Sequence, residues 1–104
     1  MRRIKTVTQI TSKTTKVIVN GYDGIIQTFP LVDAGATSFN FTVENDKVQG
    51  VSTIMLTPVY AGTTGDVKVS LVSQTKGAFV VKVSNVGATV LNAVAKIQFK
   101  VTHN

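Results

Sequence analysis

The sequence predicts an all-β protein, an antiparallel β-sandwich of jelly-roll type with about eight short strands. Two observations carry this. First, 18 Val, 15 Thr and 7 Ile supply 40 of the 104 residues. Such side chains lose χ1 freedom in a helix and suit a pleated surface. Second, runs of alternating apolar and polar residues are separated by turn signals at intervals of roughly 8–12 residues, the spacing of sandwiches and barrels. The chain is 43% hydrophobic and 15% charged, with eight Gly and two Pro. That balance excludes a disordered or collagen-like chain. One domain is expected over residues 1–104, with 1–19 as a basic N-terminal arm or edge strand and 20–104 as the sandwich.

The first strand is expected over residues 3–11, with Ile4, Thr6, Thr8 and Ile10 on one face and Lys5, Val7 and Gln9 on the other. A turn follows at residues 12–14, then a short β-rich run over 16–20. Asn20-Gly21 and Asp23-Gly24 read as turn dipeptides. Residues 25–29 form the next strand, stopped by Pro30, and residues 33–36 form a loop. Phe39, Phe41 and Val43 then share a face. In the run 52–59, Ile54 and Leu56 share a face, and Pro58 marks an edge or a strand end. Residues 62–66 form a loop, Val67, Val69 and Leu71 a strand face, and residues 73–77 a turn. Phe79, Val81 and Val83 point inward, with Lys82 and Ser84 outward. The last strand alternates most clearly, with Ala95, Ile97, Phe99 and Val101 inward and Lys96, Gln98 and Lys100 outward. The five Phe residues are expected in the core.

The net charge of +6 is unevenly placed. Arg2, Arg3, Lys5, Lys13 and Lys16 precede position 20 with no acid among them, and the remainder is nearly neutral. A basic stretch of this kind is a handle for an acidic protein surface or for phosphates. It equally suits an edge strand guarded by lysines. Nucleic acid fits poorly, because no aromatic residue is interleaved with the basic ones and no basic helix is expected.

Neither catalysis nor a cofactor is expected. The only His is His103, beside the C-terminus, where chains usually fray and cannot hold a nucleophile–base pair. The five acids, Asp23, Asp33, Glu44, Asp46 and Asp66, all fall in expected turns, where such residues serve backbone geometry. No metal site is expected, and the absence of Cys excludes thiolate chemistry. Gly62-Thr-Thr-Gly65 lacks phosphate-loop spacing. No signal peptide is expected, and no apolar run approaches the roughly 20 residues of a bilayer span, so no membrane partner is expected. Tyr60, Thr63, Thr64 and Asp66 form an alternative recognition loop; Tyr60, like Tyr22, lies in or beside a loop, where ordinary loop packing competes with stacking on a sugar or packing at an interface.

From Gly35 to Val101 the chain resembles the small β-sandwich domains of tailed-phage virion proteins, found in capsid decoration proteins and at tail-fibre tips. The likeness rests on Phe39-Asn-Phe-Thr-Val-Glu-Asn45, Ser52-Thr-Ile-Met-Leu-Thr-Pro-Val59 and the stretch from Gly62 to Val69. It continues through Gly77-Ala-Phe-Val-Val-Lys-Val-Ser-Asn85, Leu91-Asn92 and Ala95-Lys-Ile-Gln-Phe-Lys-Val101. Lectin-like relatives usually carry a Trp near the final strands, and this chain has none. The resemblance implies a homotrimer located in the virion and a non-enzymatic role. With Met1 opening the chain, the protein is expected to stand alone. That favours capsid decoration, with residues 2–19 docking on the major capsid protein, over a receptor- or glycan-binding fibre tip.

Overall fold

The structure, a computed structural model, describes residues 5–102. Its eight strands are β1 (Lys5–Thr8), β2 (Val17–Ile18), β3 (Asp23–Gln27), β4 (Thr37–Glu44), β5 (Thr53–Tyr60), β6 (Val67–Thr75), β7 (Ala78–Asn85) and β8 (Ala95–Thr102). They form two four-stranded sheets, ordered β1-β3-β8-β5 and β2-β4-β7-β6. No described residue is helical. The described part of segment 1–19 supplies one edge strand to each sheet.

The all-β sandwich is as expected, but its pairing is mixed. β1 runs parallel to β3 and β2 parallel to β4, while the other pairs are antiparallel. The physical reason lies in the path of the chain. From β1 to β4 it changes sheet at every step, so each parallel pair is joined through a strand of the facing sheet. Parallel neighbours require a long crossover of this kind. Apolar alternation reports which face is buried and carries no information on partner direction. This strand order does not establish the jelly-roll winding.

The inward faces meet in one core. Ala95, Ile97, Phe99 and Val101 of β8 are all buried, as are Phe79, Val81 and Val83 of β7 and Phe41 and Val43 of β4. The Phe79 and Phe99 rings join the sheets, with centroids 5.9 Å apart and planes tilted by 60°, a favoured aromatic geometry. Phe29 and Phe39 are only half-buried, so three of the five Phe residues form the core. β5 is an edge strand, which is where Pro58 can sit without costing a ladder hydrogen bond.

Several boundaries differ from expectation for local reasons. Asp23-Gly24 is not a turn but the start of β3. Gly24 is needed there because a Cβ would fall 2.8 Å from the Phe99 ring and 3.0 Å from the Lys5 carbonyl. The turn expected over 73–77 shrinks to Lys76-Gly77, since β6 runs to Thr75 and pairs it with Ala78. Gly77 supplies the φ of +90° that this tight turn requires. β6 is also bulged between Leu71 and Ser73. β1 ends early because Gln9 turns inward. Its Nε2 donates to the carbonyls of Lys13 and Thr15, both at 2.9 Å, and its Oε1 accepts from the Phe29 N–H at 3.1 Å. Ile10, expected on the strand, is 81% exposed.

Candidate functional site

The basic segment lies along one flank of the sandwich. β1 and β2 are the edge strands on that side, and the 9–16 loop crosses between them. Arg2 and Arg3 lie outside the described residues. Lys5 is exposed on β1. Lys13 and Lys16 each meet an acid. Lys16 Nζ lies 2.9 Å from Glu44 Oε1, with both side chains partly exposed. A pair of that kind contributes little and can be redirected to a partner.

Lys13 is different. Its Nζ lies 2.6 Å from Asp33 Oδ2 and 4.9 Å from the centre of the Phe39 ring. The Asp33 side chain is only 3% exposed, and its Oδ1 has no hydrogen-bond partner among the described residues. Lys13 is therefore the main compensation for a buried carboxylate, and its charge supports the fold. Breaking a fully buried pair costs roughly 3–5 kcal/mol. The Lys13 side chain is 40% exposed, so water screens part of that. Lys13→Met is expected to cost about 2 kcal/mol in chemical denaturation. Adding Asp33→Leu is expected to restore most of the loss. A double variant no more stable than Lys13→Met would contradict this role.

The second candidate region is the end of the sandwich formed by three loops, at residues 31–36, 61–66 and 86–94. Asn85 ties them together. Its Nδ2 donates to the carbonyls of Asp33 (3.1 Å), Ala34 (3.2 Å) and Thr89 (2.8 Å). Its Oδ1 accepts from the N–H groups of Asp66 and Gly87, both at 3.1 Å. The loops touch backbone to backbone. A Cβ at Gly35 would lie 2.7 Å from the Ala88 carbonyl carbon.

The alternative recognition residues sit in this network. Tyr60 is the last residue of β5. Its hydroxyl donates to Thr64 O at 2.8 Å and accepts from the Asn92 N–H at 2.7 Å. Asn92 Oδ1 accepts from the Thr63 N–H at 3.0 Å, and Asn92 Nδ2 donates to Thr63 Oγ1 at 2.9 Å. Thr64 Oγ1 donates to Val90 O at 2.5 Å. The Asp66 backbone serves Asn85 and Val86, and its residue is exposed. The hydroxyls of Tyr60, Thr63 and Thr64 are thus hydrogen-bonded to neighbouring loops, and Asp66 joins them through its backbone. Tyr60→Phe is expected to lower stability by about 1–2 kcal/mol, since it leaves two loop contacts unmade. An unchanged thermal midpoint would show that the hydroxyl is available for other work.

A matching hub at the opposite end went unread in the sequence. Asn45 brackets Gly21, donating from Nδ2 to its carbonyl at 2.7 Å and accepting its N–H on Oδ1 at 3.2 Å. Asn45, Asn85 and Gln9 are each about 2% exposed or less. The only sequence signal was their position beside turns, with Asn85 two residues before Gly87.

A groove of about 300 Å³ on the outer face of the β1-β3-β8-β5 sheet is lined by Asp23, Ile25, Met55, Thr57, Gln98 and Lys100, among others. Among the described residues no three His, Cys, Asp or Glu side chains are grouped to hold a metal. No protein-family model, curated protein or solved structure matches the chain.

Proposed function

We propose that this chain is a non-enzymatic structural protein of a tailed-phage virion, a capsid decoration protein that docks on the major capsid protein. The observation that carries the reading is the placement of charge. The basic segment runs along one flank of a rigid sandwich, where it can meet an acidic surface without disturbing the core. Docking is by burial of surface, with Arg2, Arg3, Lys5 and Lys16 steering the encounter. Lys13 stays with Asp33. Copies of the chain cover one another above the capsid. The committed hydrogen bonds of Tyr60, Thr63 and Thr64 favour this over a glycan-binding tip.

The test is co-sedimentation with capsids of the encoding phage prepared without this chain. Saturable binding is expected, weakened at least tenfold by joint Arg2→Glu, Arg3→Glu and Lys5→Glu substitution. Failure of the unmodified chain to bind, or equal binding by the charge-reversed variant, would contradict the reading.

A further inference from the structure

We infer that Asn20 is a site of spontaneous covalent modification, converted to aspartate or isoaspartate at a rate set by the turn at Asn45 and Asp46. Asn20-Gly21 is the one Asn-Gly pair in the chain. Asn20 is exposed, in the connection between β2 and β3. Gly21 holds a φ of +149°, a conformation that L side chains rarely adopt. The position therefore keeps glycine, and no side chain at residue 21 hinders its amide nitrogen. The chemistry needs only water as co-reactant. The Gly21 nitrogen attacks Cγ of Asn20 and closes a cyclic imide. The bond from Cγ to Nδ2 breaks, and Nδ2 leaves as ammonia carrying the proton that Gly21 gives up. Water then adds to one of the two imide carbonyls and opens the ring. Opening at one carbonyl gives aspartate. Opening at the other gives isoaspartate, whose backbone runs through the side-chain carbon.

The fold holds the two reacting groups on adjacent residues of one turn. The Gly21 N–H donates to Asn45 Oδ1 at 3.2 Å, and the Gly21 carbonyl accepts from Asn45 Nδ2 at 2.7 Å. Asn20 Oδ1 accepts from the Asp46 N–H at 2.9 Å. Asn45 is itself 1% exposed, and its backbone N–H donates to the Gly77 carbonyl at 2.9 Å. The turn is thus anchored to the β6-β7 hairpin. To react, the Gly21 nitrogen must leave Asn45 and reach Cγ of Asn20. Asn45 therefore acts as a latch, and ring closure follows local opening of this turn. Asp23-Gly24 could form the same imide, but Gly24 is buried within β3 and paired with Lys5 and Phe99 on its two sides. Reaction at Asn20 also prevents the latch from closing again. Isoaspartate lengthens the backbone between two anchored residues, Val19, whose N–H donates to the Glu44 carbonyl at 3.0 Å, and Gly21. Either product adds a carboxylate beside Asp46 and lowers the formal charge of +6 by one.

The experiment follows the purified chain in neutral buffer by intact mass, peptide mapping and enzymatic detection of isoaspartate. The same chain unfolded in urea is followed beside it. The expected result is a mass gain of about 1 Da that maps to Asn20 in both samples. The folded chain is expected to convert roughly ten- to a hundredfold more slowly than the unfolded one. Asn45→Ala, checked for its fold by circular dichroism, is expected to recover most of that difference. Tyr60→Phe loosens the opposite end of the sandwich and is expected to keep the parent's rate. An Asn20 that stays intact in the unfolded chain, or in the folded chain beyond that window, would overturn the site. Asn45→Ala converting no faster than the parent, or Tyr60→Phe converting as fast as Asn45→Ala, would overturn the latch. Where Asn45→Ala does not fold, Asn45→Ser replaces it, since its shorter side chain makes neither bond to Gly21. Where neither folds, the comparison of folded with unfolded parent decides, and equal rates would overturn the latch.

Discussion

Replacing Asn85 by Ala is expected to lower stability by roughly 3–5 kcal/mol, although the residue belongs to no apolar cluster. The side chain makes five hydrogen bonds, to Asp33, Ala34, Thr89, Asp66 and Gly87, and is 2% exposed. Ala removes the anchor of all five groups and leaves carbonyls and N–H groups without their partner, one of them fully buried, at a cost of roughly 1–3 kcal/mol for each group that stays unpaired. For a domain of this size 1 kcal/mol moves the thermal midpoint by about 4–8 °C. A fall of at least about 12 °C is therefore expected by calorimetry. Asn85→Asp is expected to do no better, because a carboxylate cannot donate to the three carbonyls. A loss below about 1 kcal/mol would show that the three loops hold one another through backbone contact alone.

Phe99→Ala is expected to cost roughly 3–5 kcal/mol, the usual penalty for emptying an aromatic site in a packed core. Phe99 is 3% exposed, contacts the Phe79 ring across the sandwich and covers Gly24 on the neighbouring strand. The last contact gives a sharper test. Gly24→Ala alone is expected to cost roughly 1–3 kcal/mol, because its Cβ would press on the Phe99 ring. In the double variant the ring is gone and only the Lys5 carbonyl still crowds the methyl, so the double loss is expected to fall short of the sum. Strict additivity in urea unfolding would contradict the assigned contact.

The central strands were legible in the sequence because burial there alternates without interruption. Phe79, Val81 and Val83, and Ala95, Ile97, Phe99 and Val101, face inward as their spacing requires. Pro58 marked an edge or a strand end, and it lies within β5, an edge strand. The parallel pairing of β1 and β2 was not legible, since period-2 spacing is blind to strand direction. Asp23-Gly24 misled because a glycine admitting a neighbouring ring has the same sequence signature as a turn. The candidate surfaces were read less completely. The basic segment was found from its charge, but the burial of Asp33 beneath Lys13 depends on a contact between residues twenty positions apart. Tyr60, Thr63 and Thr64 were singled out as polar loop residues, and only the fold shows that Asn92 occupies them. Asn85 and Asn45 resemble ordinary turn residues until the loops around them are assembled.

The most direct measurement is amide hydrogen exchange of the chain bound to capsids, compared with the free chain. Gained protection is expected at the amides of β1 and the 9–16 loop, the flank proposed above to meet the capsid. Residues 61–66 and 86–94 are expected to exchange as before. Protection confined to those two loops, with β1 unchanged, would contradict docking through the basic flank and return recognition to the loop end.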